Sequence, residues 1–222
     1  HRKTLLRGSI MRKLPVYLLL DTSGSMHGEP IEAVRNGMQT LLSSLRQDPH
    51  ALESAYLSVI TFAETAAQVV PLTELAQFQL PALTASGTTS MGGALTLLAE
   101  RVQAEVAKTT ADQKGDWKPI VFLMTDGAAT DDLTSGIAAI KAAKIGALIA
   151  CAAGPAAKTT ELQRITDSVV RLDTTDSNTI RAFFKWVSAS IATTSQKVDL
   201  NKKEAAGLFD LPPPPPEINV VV

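Results

Sequence analysis

The chain has 222 residues, of which 45% are hydrophobic and 19% charged, and its formal net charge is −1. These values fit one large globular domain, and so even a charge balance excludes a nucleic-acid or acidic-membrane surface built on net charge. The single cysteine, Cys151, excludes an intrachain disulfide and fits a reducing compartment.

Residues 1–10 read as a leader ahead of a natural start at Met11, with 11–196 as the folded domain and 197–222 as a tail. The apolar stretch between Lys13 and Asp21 is interrupted by Pro15 and is too short to cross a membrane. No small-residue cleavage site follows it, so a signal peptide is not expected. Leu14 to Leu20 is read instead as a buried strand. Ile31, Val34, Met38, Leu41, Leu42 and Leu45 mark one face of a helix that Asp48-Pro49 ends. Leu57 to Phe62 is a second strand, and Ala66 to Leu72 follows so closely that the two form an antiparallel hairpin. A helix from about Met91 to Ala107 carries Leu95, Leu98, Val102 and Val106, and the strand Ile120 to Met124 runs into Asp126-Gly127, a turn signal. A helix near Leu133 to Ala143, a strand from Ala147 to Cys151 and a helix near Thr159 to Ile165 come next. Ser168 to Leu172 makes a last strand and Ser177 to Ile191 a last helix.

Strands separated by helices imply right-handed crossovers. The expected fold is α/β: a doubly wound, Rossmann-like, mainly parallel six-stranded sheet with one antiparallel edge strand and helices on both faces. Cys151 ends an apolar run and reads as a small core residue rather than a nucleophile, and Trp117 and Trp186 read as core or near-core packing. In the tail, Pro212 to Pro216 must be extended polyproline II. This reads as a stiff spacer, or as a segment that docks on an aromatic-lined groove of another protein or, through Ile218 to Val222, on another copy.

Asp21-Thr22-Ser23-Gly24-Ser25 sits where the first strand stops, and it places one carboxylate and two hydroxyls on a tight turn. Ligands of open α/β sheets bind at the carboxyl ends of the strands, and hard cations take oxygen donors. The local alternative is that Asp21 or Ser23 caps the following helix. If the first and fourth strands are parallel neighbours, Asp126 reaches the same sheet edge and supplies a second carboxylate. The hydroxyl-rich loop Ser86-Gly87-Thr88-Thr89-Ser90 leads into a helix, and for Ser86 and Ser90 a capping role is the simpler reading. His27 reads as an exposed loop residue. Glu29, Asp131 and Asp132 add negative charge near the site or cap helices, with capping favoured for Asp131 or Asp132.

Three separated segments, Asp21 to Ser25, Gly87-Thr88-Thr89 and Thr125-Asp126-Gly127, resemble the metal-ion-dependent adhesion site (MIDAS) of von Willebrand factor type A domains. The resemblance covers roughly residues 13 to 195. It implies that Asp21, Ser23, Ser25 and Asp126 hold a divalent cation, Mg²⁺ first and Mn²⁺ or Ca²⁺ as alternatives. Aligning Gly87 to Gly92 with the family's Gly-Gly-Thr turn selects Thr89 over Thr88 as the fifth ligand and leaves Thr88 in place of a glycine. Two carboxylates and three hydroxyls under-fill such an ion, so an acidic residue of a partner protein completes its shell. In the family, a change of contact at the ion can couple to movement of the last helix.

Leu14 to Leu20 running into the motif, then Met26 to Ile31 and Val59 to Phe62, are similar to the bacterial TerY-type branch, associated with tellurium resistance. That implies a cytoplasmic regulator working beside a Ser/Thr kinase and a PP2C-like phosphatase. The residues themselves encode no tellurite chemistry, since no cluster of soft ligands is present. An aspartic protease is excluded by the missing Asp-Thr-Gly or Asp-Ser-Gly turn at Asp21. A metal-dependent phosphohydrolase on a similar sheet would place a general acid two residues after Asp21, where Ser23 stands. The expectation is a binding module and not an enzyme, with a metal-independent assembly subunit as the third class.

Overall fold

In the computed structural model, which describes residues 12–200 and 204–222, all eight residues of β1 (Leu14–Asp21) are buried. A strand buried on both faces must lie inside a sheet that is covered on both sides, which is the usual place of parallel strands. β1 pairs in parallel with β2 (Ala55–Phe62) on one side and with β4 (Ile120–Thr125) on the other. β5 (Ala147–Ala153) and β6 (Val169–Leu172) continue the parallel ladder, and β3 (Ala66–Glu74) closes one edge antiparallel to β2. The proposed leader lies outside the described residues.

The alternation of β1 splits the core in two. Val16, Leu18 and Leu20 pack into a cluster with α1 (Glu29–Arg46), α2 (Pro49–Ser54) and α6 (Ser177–Asp199). Tyr17 and Leu19 pack into a second cluster with α3 (Met91–Glu105), α4 (Thr134–Ala142) and α5 (Thr159–Ile165). Near the end of α3, Glu105 accepts hydrogen bonds from the Tyr17 hydroxyl (3.0 Å), the Gln68 amide (2.8 Å) and the Leu72 backbone N–H (3.0 Å). Burial, reinforced by the Glu105 charge, pushes the Tyr17 phenol well above its ordinary range, so the phenol stays a donor and fixes α3 against the sheet.

The doubly wound α/β reading holds, with four differences. The sheet has seven strands, ordered β3-β2-β1-β4-β5-β6-β7, because Asn219–Val220 (β7) pairs antiparallel with β6. Both edges are therefore antiparallel, and the second edge strand, only two residues long, carries no legible periodicity. Asp48-Pro49 ends α1 but also starts α2: the Asp48 carboxylate accepts from Ala51 N–H at 2.9 Å, and Pro49 takes the first helical position. α6 runs on to Asp199, since the chain beyond Ile191 keeps burying small polar residues, Thr194 and Ser195, and then Val198. Finally, the proline-rich segment lies on the body: the Trp186 indole N–H donates to the Pro212 carbonyl at 2.9 Å.

Where α1 crosses α6, a Cβ added at Gly37 would stand 2.4 Å from Cδ2 and 2.6 Å from Cγ of Phe184. Replacing a mid-helix glycine by alanine normally gains about 1 kcal/mol of helix propensity. Overpacking a close-packed core costs about 1–3 kcal/mol, and Phe184 is fully buried with its ring edge-on to Phe183. Gly37→Ala is expected to lower unfolding free energy by up to about 2 kcal/mol net in urea titration, whereas propensity alone would raise it.

Candidate metal centre

The chain leaves β1 for β2 on one side and later returns to β4 on the other, so the topological switch point of the sheet falls between β1 and β4. At such a point the loops after the two strands diverge and open a crevice at their carboxyl ends. With Leu20 opposite Met124, the next residues are Asp21 and then Thr125-Asp126. Asp21 and Asp126 are both buried.

Direct bonds join Asp126 to a hydroxyl of the first turn and Asp21 to its backbone and to Thr125. Asp21 Oδ1 accepts from Ser23 N–H at 2.8 Å, and Asp21 Oδ2 accepts from the Thr125 hydroxyl at 2.7 Å and from Asp126 N–H at 3.4 Å. The Ser25 hydroxyl donates to Asp126 Oδ1 at 2.8 Å and lies 3.1 Å from the Ser23 hydroxyl. Both oxygens of Asp21 are thus held in direction, with Oδ2 taking two donors and Oδ1 one. Burial pushes the Asp126 carboxyl up to about 6; the Ser25 hydroxyl opposes that shift and the neighbouring Asp21 charge adds to it.

The second loop docks on the first through its backbone. Gly24 N–H donates to Gly87 O at 2.9 Å and Ser86 N–H to Thr22 O at 2.9 Å. Gly87 has φ of 76°, and a Cβ there would stand 3.2 Å from Glu64 Cβ and 3.3 Å from Glu64 N. That conformation favours glycine. The turn leaves Thr88 exposed and Thr89 buried. Ser90 precedes α3, yet its hydroxyl donates to Ala63 O at 2.8 Å and does not cap the helix.

The cap of α3 comes from the third loop. Asp131 accepts the Gly92 and Gly93 N–H groups at 2.9 Å each, and Thr130 binds Thr89 twice, through Thr89 N–H to its hydroxyl (3.0 Å) and through its own N–H to Thr89 O (2.9 Å). Asp132 accepts from Thr134 N–H at 3.0 Å. Glu29 accepts from the backbone and hydroxyl of Ser177 at 2.9 Å each, so its carboxylate serves the start of α6. His27 is exposed. The sequence reading gave no role to Thr125 or Thr130. Thr125 stood inside a recognised tripeptide, while Thr130 meets Thr89 across 41 positions and left no local signal.

A divalent cation fits this donor set. The site offers oxygens only, which suits Mg²⁺, Mn²⁺ or Ca²⁺. A cation there would offset the Asp21 charge that adds to the effect of burial on Asp126. No group of three His, Cys, Asp or Glu side chains that could hold a metal occurs among the described residues. An ion at this site would therefore have two charged protein ligands and neutral hydroxyls. Cys151 is fully buried and its thiol is pushed up by burial, which leaves it no nucleophilic role.

The family model of the von Willebrand factor type A domain matches residues 16–185. Comparison with curated proteins gives no match. Among solved structures, proximal thread matrix protein 1 from the mussel byssus superposes with a TM-score of 0.60 at 19% identity, over 83% of this chain and 49% of that one. A von Willebrand factor type A protein from Catenulispora acidiphila gives 0.61 at 20%, over 82% and 43%. The pilus adhesin SpaC from Lactobacillus rhamnosus GG gives 0.64 at 15%, over 83% and 30%. One structure of the mussel protein has a zinc-occupied MIDAS motif. This chain spans less than half the length of each of these structures, and at such identities the likeness is one of fold.

Two outcomes are expected. Asp131→Ala, which removes no proposed ligand, should weaken Mn²⁺ binding about tenfold, because it frees the Gly92 and Gly93 N–H groups and loosens the start of α3, into which the Thr89 loop runs; a cap of this kind is worth about 1 kcal/mol or more, and titration followed by electron paramagnetic resonance checks it. In chelator, proton binding favours the fold below the ordinary carboxylate value of 3.8, and this contribution is lost as pH rises through about 6. The melting temperature of the wild type should therefore fall relative to Asp126→Asn between those limits, by about 2–4 °C per kcal/mol, as read by calorimetry.

Proposed function

This chain belongs to the von Willebrand factor type A family, and on that footing we propose that it is a metal-dependent protein-interaction module whose ion is held by Asp21, Ser23, Ser25, Thr89 and Asp126. The observation that carries the reading is a pair of bonded oxygen chains at the switch point of the sheet, Thr125 to Asp21 and Ser23 through Ser25 to Asp126, linked by the Ser23 N–H on Asp21. When bound, the cation supplies a Lewis-acidic position that attracts an anionic oxygen. The chain's own residues orient the ligands: Thr125 and the Ser23 N–H aim Asp21, and Ser25 holds Asp126. The partner group is a carboxylate of another protein, and Mg²⁺ is the favoured ion on the grounds of hard oxygen donors and retained water. The module's main body is proposed as 11–196; the proline-rich segment 197–222, expected as a tail, completes α6 and adds β7 to the sheet.

The likeness of Leu14 to Leu20, Met26 to Ile31 and Val59 to Phe62 to the TerY-type branch extends the proposal. On it, the protein is a cytoplasmic bacterial regulator of tellurite or stress resistance whose partners are a Ser/Thr kinase and a PP2C-like phosphatase. Recognition is favoured over catalysis because Ser23 stands where a phosphohydrolase would need an acid, and its hydroxyl faces Ser25.

Mn²⁺ should bind the wild type and be lost at least tenfold in Asp21→Ala. An Asp- or Glu-containing peptide should then displace water from the bound Mn²⁺, read as a drop in water-proton relaxation. Unchanged relaxation on adding peptide would remove the carboxylate-recognition reading, and turnover of p-nitrophenyl phosphate abolished by Asp21→Asn would replace it with the hydrolase.

A further inference from the structure

The chain segment after α6 builds a rigid turn whose outward side chain is an unprotected aromatic. Leu208–Asp210 is a single 3-10 turn, closed by Asp210 N–H to Gly207 O and by Leu211 N–H to Leu208 O, both at 3.1 Å. It is fixed to the body by Leu208 N–H to the Ser168 hydroxyl (3.2 Å), Lys197 Nζ to Asp210 O (3.2 Å) and Ala206 N–H to Asp210 Oδ2 (2.9 Å). Leu208 and Leu211 are buried, while Phe209 between them is 99% exposed. Burying such a ring is worth about 1.5–3 kcal/mol, and here that gain is left untaken by a turn that cannot swing the ring inward.

The five prolines that follow carry the same exposure pattern forward. Each of Pro212 to Pro215 precedes another proline, which bars the helical region and leaves polyproline II. With three residues per turn, Pro213 and Pro216 share an edge. Both are exposed, whereas Pro212, Pro214 and Pro215 are half-buried against the body. The ridge is clamped at both ends, by Trp186 on the Pro212 carbonyl (2.9 Å) and by a turn in which Ile218 N–H donates to Pro215 O (3.0 Å). The carbonyls of Pro213 and Pro214 accept no hydrogen bond from the described residues. Glu217, exposed, ends the ridge.

We infer that Phe209 to Pro216 is a preorganised docking ridge for an aromatic-lined, proline-reading groove of a partner protein, with a pocket for Phe209 and a basic rim facing Glu217. Grooves of this kind stack aromatic rings on exposed prolines of a polyproline II ligand, and the unused Pro213 and Pro214 carbonyls suit their donors. A second copy of this chain is not the occupant: its other aromatic side chains are buried or half-buried, and the two half-buried ones, Trp117 and Tyr56, lie under Arg12 and Lys13. Since the ridge is held by its own hydrogen bonds, docking carries little further cost of ordering it.

The test titrates the full chain with purified SH3, WW and EVH1 domains and profilin, by calorimetry. At least one is expected to bind in the micromolar range, with Phe209→Ala and the double variant Pro213→Ala/Pro216→Ala each weakening it about tenfold. Chelator and Asp21→Ala should leave this binding unchanged, which separates it from the metal-dependent reading. The replaced side chains are exposed, so Phe209→Ala should melt as the wild type does, and the double proline variant, whose unfolded chain gains freedom, should stay cooperatively folded with a melting temperature lower by only about 2–8 °C. Binding by none of the four, or equal binding by wild type and both variants, overturns the inference; so does self-association in sedimentation that Phe209→Ala abolishes, which would assign the ridge to a contact between copies.

Discussion

The parallel pairing of β1 with β4 is the constraint on which the site depends. It brings two carboxylates within one residue of each other in register at the carboxyl edge of the sheet, and both are withdrawn from solvent. Buried like charges oppose ionisation, and the fold offsets this with donors aimed at each acid: two hydroxyls and two backbone N–H groups among them. These donors orient the acids without neutralising them. A buried acidic pair that is hydrogen-bonded but not charge-compensated is complementary to a cation, and that complementarity follows from strand register before any family likeness is considered.

Around this pair the three loops are tied to one another more than to the helices they introduce. The first loop bonds the second through Gly24 and Gly87, and the second bonds the third through Thr89 and Thr130. Asp131 closes the circuit by capping a helix that belongs to the second loop. Through it α3 is held at its N-terminus, and through Glu105 near its C-terminus. By contrast, the start of α6 is joined to the start of α1 by the exposed Glu29–Ser177 contact. The two helix layers therefore differ in how firmly they are fixed next to the site.

What was legible in the sequence was periodic or contiguous. The buried runs of β1, β4 and β5 and the apolar face of α1 declared themselves, and Asp21 at the end of a strand pointed to the sheet edge where Asp126 also lies. Contributions made across long separations were not legible. Ser90 occupies the capping position by sequence, but Ala63 O takes its hydroxyl and Asp131, 39 positions from Gly92, supplies the cap. β7 is too short to show alternation and exists because the proline ridge delivers it to β6. The end of α6 was hidden because its inward face turns to serine and threonine, which read as solvent-facing until the packing against α1 and α2 is known.

The loop-to-loop hydrogen bonds have a kinetic consequence. The backbone bonds between Thr22, Gly24, Ser86, Gly87, Thr89 and Thr130 join the three loops directly, so on the proposed reading the recognition surface is assembled when the chain folds. Encounter is then limited by diffusion and orientation, in the ordinary range of about 10⁵–10⁷ M⁻¹s⁻¹ for docking of preformed surfaces, and not by loop ordering. Partners that differ in affinity would differ mainly in how long they stay.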